Sequence, residues 1–223
     1  MLKKVLMLLT GVGVSSVVRK WIMGITGLFL CLFLLVHLAG NLTLLSGDGA
    51  RESFNAYSEF MTTNLFIQFI RWVTYLGIFF HIVYAVAITL KNRGAKKTSY
   101  AYQSPESKKK EFKAKLRPLL GAVIFVFLII HLKSFWFKAS FVGIDDLYEE
   151  VVIAFNNIYY VCFYVLAMLF LAYHLAHGLR SGIKTLGLVN PKYIKAVELV
   201  GVFFSIIVPL LFSVIPVYIY FTN

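Results

Sequence analysis

Charged residues are scarce in this chain, and acidic residues are the scarcest of all. Only 14% of the 223 residues are charged, with ten Asp and Glu against 22 Lys and Arg, whereas 60% are hydrophobic. Soluble domains contain about 25% charged residues. The composition therefore excludes an ordinary soluble domain and predicts a single multi-pass membrane domain. A net charge of +12 would suggest nucleic-acid binding in a soluble protein. Here the basic residues lie between apolar runs, so they indicate membrane topology and no nucleic-acid partner.

The chain also has only two cysteines. Cys31 and Cys162 both fall within apolar runs, and neither has a second cysteine or a loop histidine at metal-binding spacing. We expect both to be packing residues without a disulfide or a bound metal. The sequence also lacks a Gly-rich phosphate loop and a Ser-His-Asp arrangement.

Five apolar runs are each long enough to cross a bilayer, which takes about 20 residues in a helix. They cover residues 21–45, 66–90, 119–137, 151–179 and 197–221. We expect residues 1–18 to form a cytoplasmic or surface segment, although their start imitates a signal peptide. The predicted fold is an all-α membrane protein of five transmembrane helices, the first four forming an up-down bundle. Span five contains Pro209 and Pro216 and is expected to close the bundle or to contact partners and lipid.

The segments between the spans alternate in charge. Residues 91–117 hold ten Lys and Arg, and more basic residues precede span one and follow span four. The segments 47–65 and 138–150 contain most of the acidic residues instead. Because cytoplasmic loops carry an excess of Lys and Arg, this predicts a cytoplasmic N-terminus and an external C-terminus.

All five histidines lie within apolar runs, where an ionisable side chain is costly and marks a functional site. At about 1.5 Å per residue, His81 lies about 15 Å and His174 about 9–15 Å from the basic boundary. His37 and His131 lie about 25 and 21 Å from it. The histidines therefore form an inner pair, His81 with His174, and an outer pair, His37 with His131. His177, one turn after His174, is expected to contact a haem propionate or a neighbouring helix.

Two facing imidazoles suit the axial positions of a haem iron, and an apolar bundle excludes water from it. The two layers therefore predict two stacked b-type haems. Zinc is disfavoured because each layer offers two ligands and no Cys or carboxylate. Gly178 would let a flat ring approach the helix, or would simply be a packing glycine. Basic residues near the same boundary could neutralise propionates or contact lipid headgroups; these are Arg19, Lys91, Arg180 and Lys184.

The chain resembles the cytochrome b membrane anchor of succinate dehydrogenase and fumarate reductase, in its single-chain, five-helix, two-haem branch. The resemblance covers nearly the whole chain in helix number, loop polarity and histidine order. It rests on four short motifs: Gly27-Leu28 with Phe33 and His37-Leu38-Ala39-Gly40-Asn41, His81-Ile82-Val83-Tyr84, Ile130-His131, and His174 with Gly178 and Arg180.

This resemblance implies the same two histidine pairs as iron ligands. It also implies a flavoprotein with covalent FAD and an iron–sulfur subunit on the cytoplasmic side of a bacterial inner membrane. The dicarboxylate chemistry would occur in those partners, and this chain would exchange electrons with a membrane quinone, menaquinone in this branch. Some quinol-oxidising members carry a glutamate where this chain has Ala172, so their proton route is not expected here. The direction of the reaction and a higher oligomer of the complex are left open.

Glu59 is the candidate for proton transfer to the quinone. It lies twenty-two residues after His37, which matches a quinone-site glutamate in the resembling branch, and quinone reduction consumes protons. The alternative is a solvated charge opposite Arg51 or Arg71. Asn41 and Lys133 are expected at a similar depth, where they could orient a headgroup.

Two other functions fit parts of the pattern. A different two-haem cytochrome, such as a b561-like shuttle or a hydrogenase anchor, would lack the flavoprotein partner. A transporter with a histidine proton relay is disfavoured, because no Asp or Glu lies clearly within a span and no broken-helix repeat is present.

Overall fold

A computed structural model describes residues 15–95, 104–188, 190 and 192–223. Residues 1–14 of the predicted N-terminal surface segment therefore lie outside the described residues. The described chain is all-helical, with seven α-helices: α1 (Ser16–Leu42), α2 (Ala50–Thr63), α3 (Leu65–Ala95), α4 (Pro105–His131), α5 (Leu147–Phe155), α6 (Ile158–Leu186) and α7 (Ile194–Thr222). Short 3₁₀ turns connect α1 to α2, and two π-helical segments, Leu132–Trp136 and Lys138–Val142, follow α4.

Five helical segments are long and apolar enough to cross a membrane, so the multi-pass prediction is confirmed. They cover Ser16–Leu45, Leu65–Asn92, Lys115–Val142, Ile158–Leu186 and Ile194–Thr222. Most of their side chains are not buried against other helices, and large apolar residues remain exposed along their outer faces. A bilayer would cover such surfaces, because apolar patches of this extent are rare on soluble proteins.

The predicted fourth span, 151–179, was wrong at both ends. Residues up to Phe155 belong to the separate helix α5, and the spanning helix α6 runs from Ile158 to Leu186. Asn157 causes the break, because its side chain accepts hydrogen bonds from the amides of Tyr159 and Tyr160 and caps a new helix. The segment 47–65, treated as a loop, likewise contains α2.

Local signals explain several other helix ends. Ser15 caps α1, and Ser104 with Pro105 begins α4, since Pro is tolerated at the first helical position. Gly187 ends α6 in the left-handed conformation with φ 64°, which glycine adopts without steric cost. Helix α7 continues through Pro209 and Pro216.

Helices α1 and α6 are central to the packing, because α6 packs against α1, α4 and α7, and α1 also packs against α3 and α7. Two glycines allow α1 and α6 to approach closely: a Cβ on Gly182 would lie 3.7 Å from the Cα of Gly24. Small residues at such crossings are typical of membrane helix pairs. The main buried cluster includes Leu44, Phe54, Phe155, Tyr164 and Ile219, at the end of the molecule covered by α2 and α5.

The acidic segments meet at that end. Arg51 of α2 forms ion pairs with Asp146 and Glu149, and Asn55 donates a hydrogen bond to Asp146 at 2.8 Å. Asn55 also accepts a hydrogen bond from the amide of Tyr148 at 3.0 Å. These contacts fasten α2 to the start of α5 and hold the two acidic segments on the same side.

Candidate functional site

The predicted outer histidines are in contact. The ring centroids of His37 on α1 and His131 at the end of α4 are 5.8 Å apart, and the rings are nearly perpendicular. Each ring stacks on a phenylalanine four residues earlier in its own helix, Phe33 at 5.4 Å and Phe127 at 5.6 Å. Phe212 of α7 also lies against His37. The pair therefore lies in an aromatic environment.

The predicted inner histidines also meet. The ring centroids of His81 on α3 and His174 on α6 are 6.3 Å apart, with an interplanar angle of 70°. The His81 ring lies over Gly27 of α1, where a Cβ would come within 3.2 Å of Cε1. A glycine at this position makes room for the imidazole, so part of the motif Gly27-Leu28 has a direct structural reason.

Hydrogen bonds determine the tautomer of one histidine in each layer, His81 and His131. The Thr26 hydroxyl lies 3.2 Å from Nδ1 of His81 and donates to the carbonyl of Ile22 at 2.7 Å. Because that hydroxyl proton is used, its oxygen accepts from Nδ1–H of His81. The neutral ring then has its free lone pair on Nε2, which has no other hydrogen bond within the described residues.

A chain of hydroxyl groups has the same effect on His131. Tyr160 donates to Ser134 at 2.7 Å, so its oxygen is free to accept from Tyr164 at 3.2 Å. The Tyr164 oxygen in turn accepts from Nδ1–H of His131 at 3.2 Å. Nε2 of His131 is again the free donor to a metal, and hydrogen bonding of the other ring nitrogen is the usual support for a histidine ligand.

Each pair brings two imidazoles from different helices into ring contact, with centroids 6.3 Å apart in the inner pair and 5.8 Å apart in the outer pair. Neutral imidazole nitrogens are common ligands of a haem iron. The two histidines of each layer would therefore suit one haem iron.

Four cationic side chains lie at the basic end of the molecule, on the side of the inner histidines. Nε of Arg19 is buried, and no hydrogen-bond partner for it lies among the described residues. Lys91 donates to Ser16 on the same end of α1 at 2.5 Å. Arg117 and Arg180 are close enough to His177 to interact with it electrostatically. A buried guanidinium donor without a partner costs free energy, so Arg19 is suited to an anionic group of a ligand.

Arg180 and Lys184, both expected near a haem propionate, also contact α7. Both form ion pairs with Oε1 of Glu198 on α7, at 3.1 and 2.9 Å. They therefore line the α6–α7 contact. Gly178 remains open, because a Cβ there would meet no atom within 4 Å.

The three candidate quinone residues occupy different environments. Glu59 lies on the exposed side of α2, and within the described part of the chain its carboxylate has no hydrogen bond or ion pair. Its suggested partners are engaged elsewhere: Arg51 with α5, and Arg71 with Gln68 at 2.9 Å. Asn41 donates to the carbonyl of His37 at 2.7 Å, and its amide nitrogen lies 3.4 Å from Nδ1 of that residue. Lys133 is exposed in the first π-helical segment.

Sequence reasoning missed Thr26, Tyr164, Arg117 and Tyr57. The Tyr57 ring packs directly on Gly40, and its hydroxyl donates to the carbonyl of Val36 at 3.2 Å. Tyr57 therefore covers the part of α1 that carries His37. Burial of this hydroxyl raises the pKa of Tyr57 above its usual value. Tyr57 lies two residues before Glu59 in the sequence, and this proximity to a predicted quinone residue was the signal that could have identified it. Thr26 and Tyr164 are hydroxyl residues within apolar runs, and no sequence signal identified them.

No protein-family model matches the chain, and neither a curated protein nor a solved structure does.

Proposed function

We propose that this chain is the dihaem cytochrome b anchor of a succinate:quinone oxidoreductase, a succinate dehydrogenase or fumarate reductase. In this proposal the first four spans form an up-down bundle around two stacked haems b. His81 and His174 hold the inner iron, and His37 and His131 hold the outer iron. The N-terminus faces the cytoplasm and the C-terminus lies outside.

One observation carries the proposal. Four histidines from four different spanning helices form two pairs in ring contact, at 5.8 and 6.3 Å, and these are the pairs that depth alone predicts. Isolated membrane histidines hydrogen-bond to neighbouring helices without further function. Such bonds do not require histidine to meet histidine in two separate layers.

The residues of this chain would bind, orient and insulate the redox groups. A bound haem supplies reversible one-electron transfer. Thr26 and Tyr164 hold Nδ1–H of His81 and His131, which keeps Nε2 of each ring available and makes it more basic. The aromatic rings around the outer pair exclude water, and a drier site alters the reduction potential. Arg19, Lys91 and Arg117 are suited to propionates at the inner layer.

The charge distribution supports the proposed partners. The basic end would face the cytoplasm, where the flavoprotein with covalent FAD and the iron–sulfur subunit would dock near the inner histidines. Quinone would react at the opposite end, beside the outer histidines, Tyr57 and Glu59. Succinate and fumarate would never contact this chain.

The test is to purify the tagged chain from its native membranes with its associated proteins. We expect two haems b per chain by pyridine haemochrome assay, and a large subunit with covalent flavin. Added succinate should reduce both haems. Two haems without a flavoprotein would instead favour another dihaem cytochrome. A chain without haem that couples solute uptake to a proton gradient would favour the transporter.

A further inference from the structure

An open groove lies between α6 and α7, at the end of the molecule where the inner histidines are located. It encloses about 80 Å³. Seven apolar or small residues form its walls: Ala176, Leu179, Ile183, Ile194, Val197, Gly201 and Val202. The groove faces α7, whereas His174 of the same helix α6 faces His81 of α3, so the groove is separate from the inner histidine pair.

Three charged residues lie at the rim of the groove. Arg180 and Lys184 share a single oxygen of Glu198, which leaves the trio with a net charge of +1. Arg180 uses Nε for this pair, and its two Nη groups have no hydrogen bond among the described residues. Arg180 is 63% exposed and Lys184 46% exposed, so both remain accessible to a second anion.

The surroundings of the groove favour lipid as its occupant. Next to it on α7, large apolar side chains point outward, with Leu199 57%, Val200 68% and Phe203 59% exposed. A spanning helix with such a surface faces acyl chains. The apolar walls of the groove suit an acyl chain, and the cations at its rim suit a phosphate. An anionic phospholipid carries both groups in one molecule. Basic pockets between transmembrane helices bind anionic headgroups in this way.

We propose that this groove binds one anionic phospholipid, with its phosphate on Arg180 and Lys184 and part of an acyl chain between α6 and α7. Arg180 offers the planar fork that pairs well with phosphate oxygens. Glu198 orients both cations and competes with the phosphate for them. The proposal requires only that the chain spans a membrane and is independent of the proposed haem function.

The test measures phospholipid that remains on the full complex after exhaustive detergent washing, by extraction and native mass spectrometry. We expect about one phosphatidylglycerol or cardiolipin per chain in the wild type. Arg180→Gln with Lys184→Gln should reduce retention on the order of 30-fold, because each cation contributes about 1 kcal/mol near a membrane surface. Gly201→Leu should reduce it by filling the groove. Lys20→Gln, an exposed lysine near the start of α1, is the matched control and should retain the lipid.

Glu198→Gln separates lipid binding from a purely structural role of the trio. It removes the competing carboxylate, so retention should rise, whereas a structural ion pair predicts lower stability without a gain in lipid. Thermal unfolding with added phosphatidylglycerol, phosphatidylcholine or inorganic phosphate identifies the ligand, and only phosphatidylglycerol should stabilise the wild type. Equal stabilisation by inorganic phosphate would overturn the proposal in favour of a free-anion site. Unchanged lipid with loss of partner subunits in the double variant would overturn it in favour of a protein contact.

Discussion

The imidazole of His131 donates from Nδ1 to the hydroxyl of Tyr164, and its ring lies 5.8 Å from that of His37. The hydroxyl chain thereby determines which nitrogen of His131 faces away from α6. A histidine held in this way keeps one tautomer, so Nε2 of His131 is available for the iron ligation that we propose.

Loss of one outer ligand should remove one haem. In His131→Ala we expect the haem content to fall from two to one per chain, with the inner haem retained, because His81 and His174 are on other helices. Haem content and low-temperature optical spectra measure this. His177→Asn is the matched control and should retain both haems, since His177 is proposed to act only near a propionate. Two haems in His131→Ala would contradict the ligand assignment.

Tyr164→Phe should retain both haems and raise the midpoint potential of the outer one. Removing the acceptor of Nδ1–H makes the imidazole less basic, and a less basic ligand stabilises the oxidised iron less well. A potentiometric titration monitored optically measures the shift. Tyr160→Phe interrupts the chain one step further out and should have a smaller effect. An unchanged potential in Tyr164→Phe would show that this hydrogen bond does not tune the site.

The number of spans and the two histidine contacts could be predicted from the sequence, but the ends of the fourth span could not. A run of about 20 apolar residues has few stable conformations other than a spanning helix. The rise per residue then determines which histidines share a level. The break at Asn157 could not be predicted, since apolar residues continue on both sides and only the capping bonds distinguish two helices from one.

The direction of side chains around each helix was also not predictable. Arg180 follows the histidine motif closely in sequence, yet it pairs with Glu198, eighteen residues further along the chain. Whether a basic residue faces the histidines or the neighbouring helix depends on the packing of α7 on α6. The hydrogen bonds of Thr26 and Tyr164 could not be predicted either, because their histidine partners lie 55 and 33 residues away in the sequence.

Arg51 and Asn55 of α2 contact Asp146 and Glu149 at the start of α5, and we call these contacts the α2–α5 clamp. The clamp should make the stability of the fold depend on pH in the acidic range. The hydrogen bond from Asn55 is the main cause that lowers the pKa of Asp146 below its usual value, and the amide of Glu149 and the charge of Arg51 lower it further. Because the folded pKa is the lower one, its stabilisation is complete above the unfolded pKa of about 3.9 and is lost as the pH falls through the folded pKa.

We therefore expect the unfolding temperature to fall as the pH drops below about 3.9 and through the lowered pKa of Asp146. Asn55→Ala should lower stability at neutral pH by about 1–2 kcal/mol, from two lost hydrogen bonds, and should weaken the acid dependence. Circular dichroism during thermal unfolding in detergent measures both effects. Ser53→Ala, at an exposed position of the same helix, is the control. An identical pH profile in Asn55→Ala would exclude this clamp as its source.

Glu59 provides the most direct test of where quinone reacts. Its carboxylate is exposed on α2 and has no ion-pair or hydrogen-bond partner among the described residues, so it is available to transfer protons from solvent. The same helix presses Tyr57 onto Gly40, next to the outer histidine end of α1. A quinone bound there would lie close to the outer haem, within reach of a group on this helix.

In Glu59→Gln we expect quinone-linked turnover to fall by about 100-fold or more, the usual contribution of a positioned proton-transfer group. Both haem spectra and succinate oxidation by a water-soluble dye should remain at wild-type levels, because neither requires the quinone site. Glu52→Gln is the matched control, since Glu52 is an exposed carboxylate on the same helix, two turns earlier. If Glu59→Gln retains wild-type quinone turnover, the proton comes from another group and the site lies elsewhere, most simply beside the inner histidines.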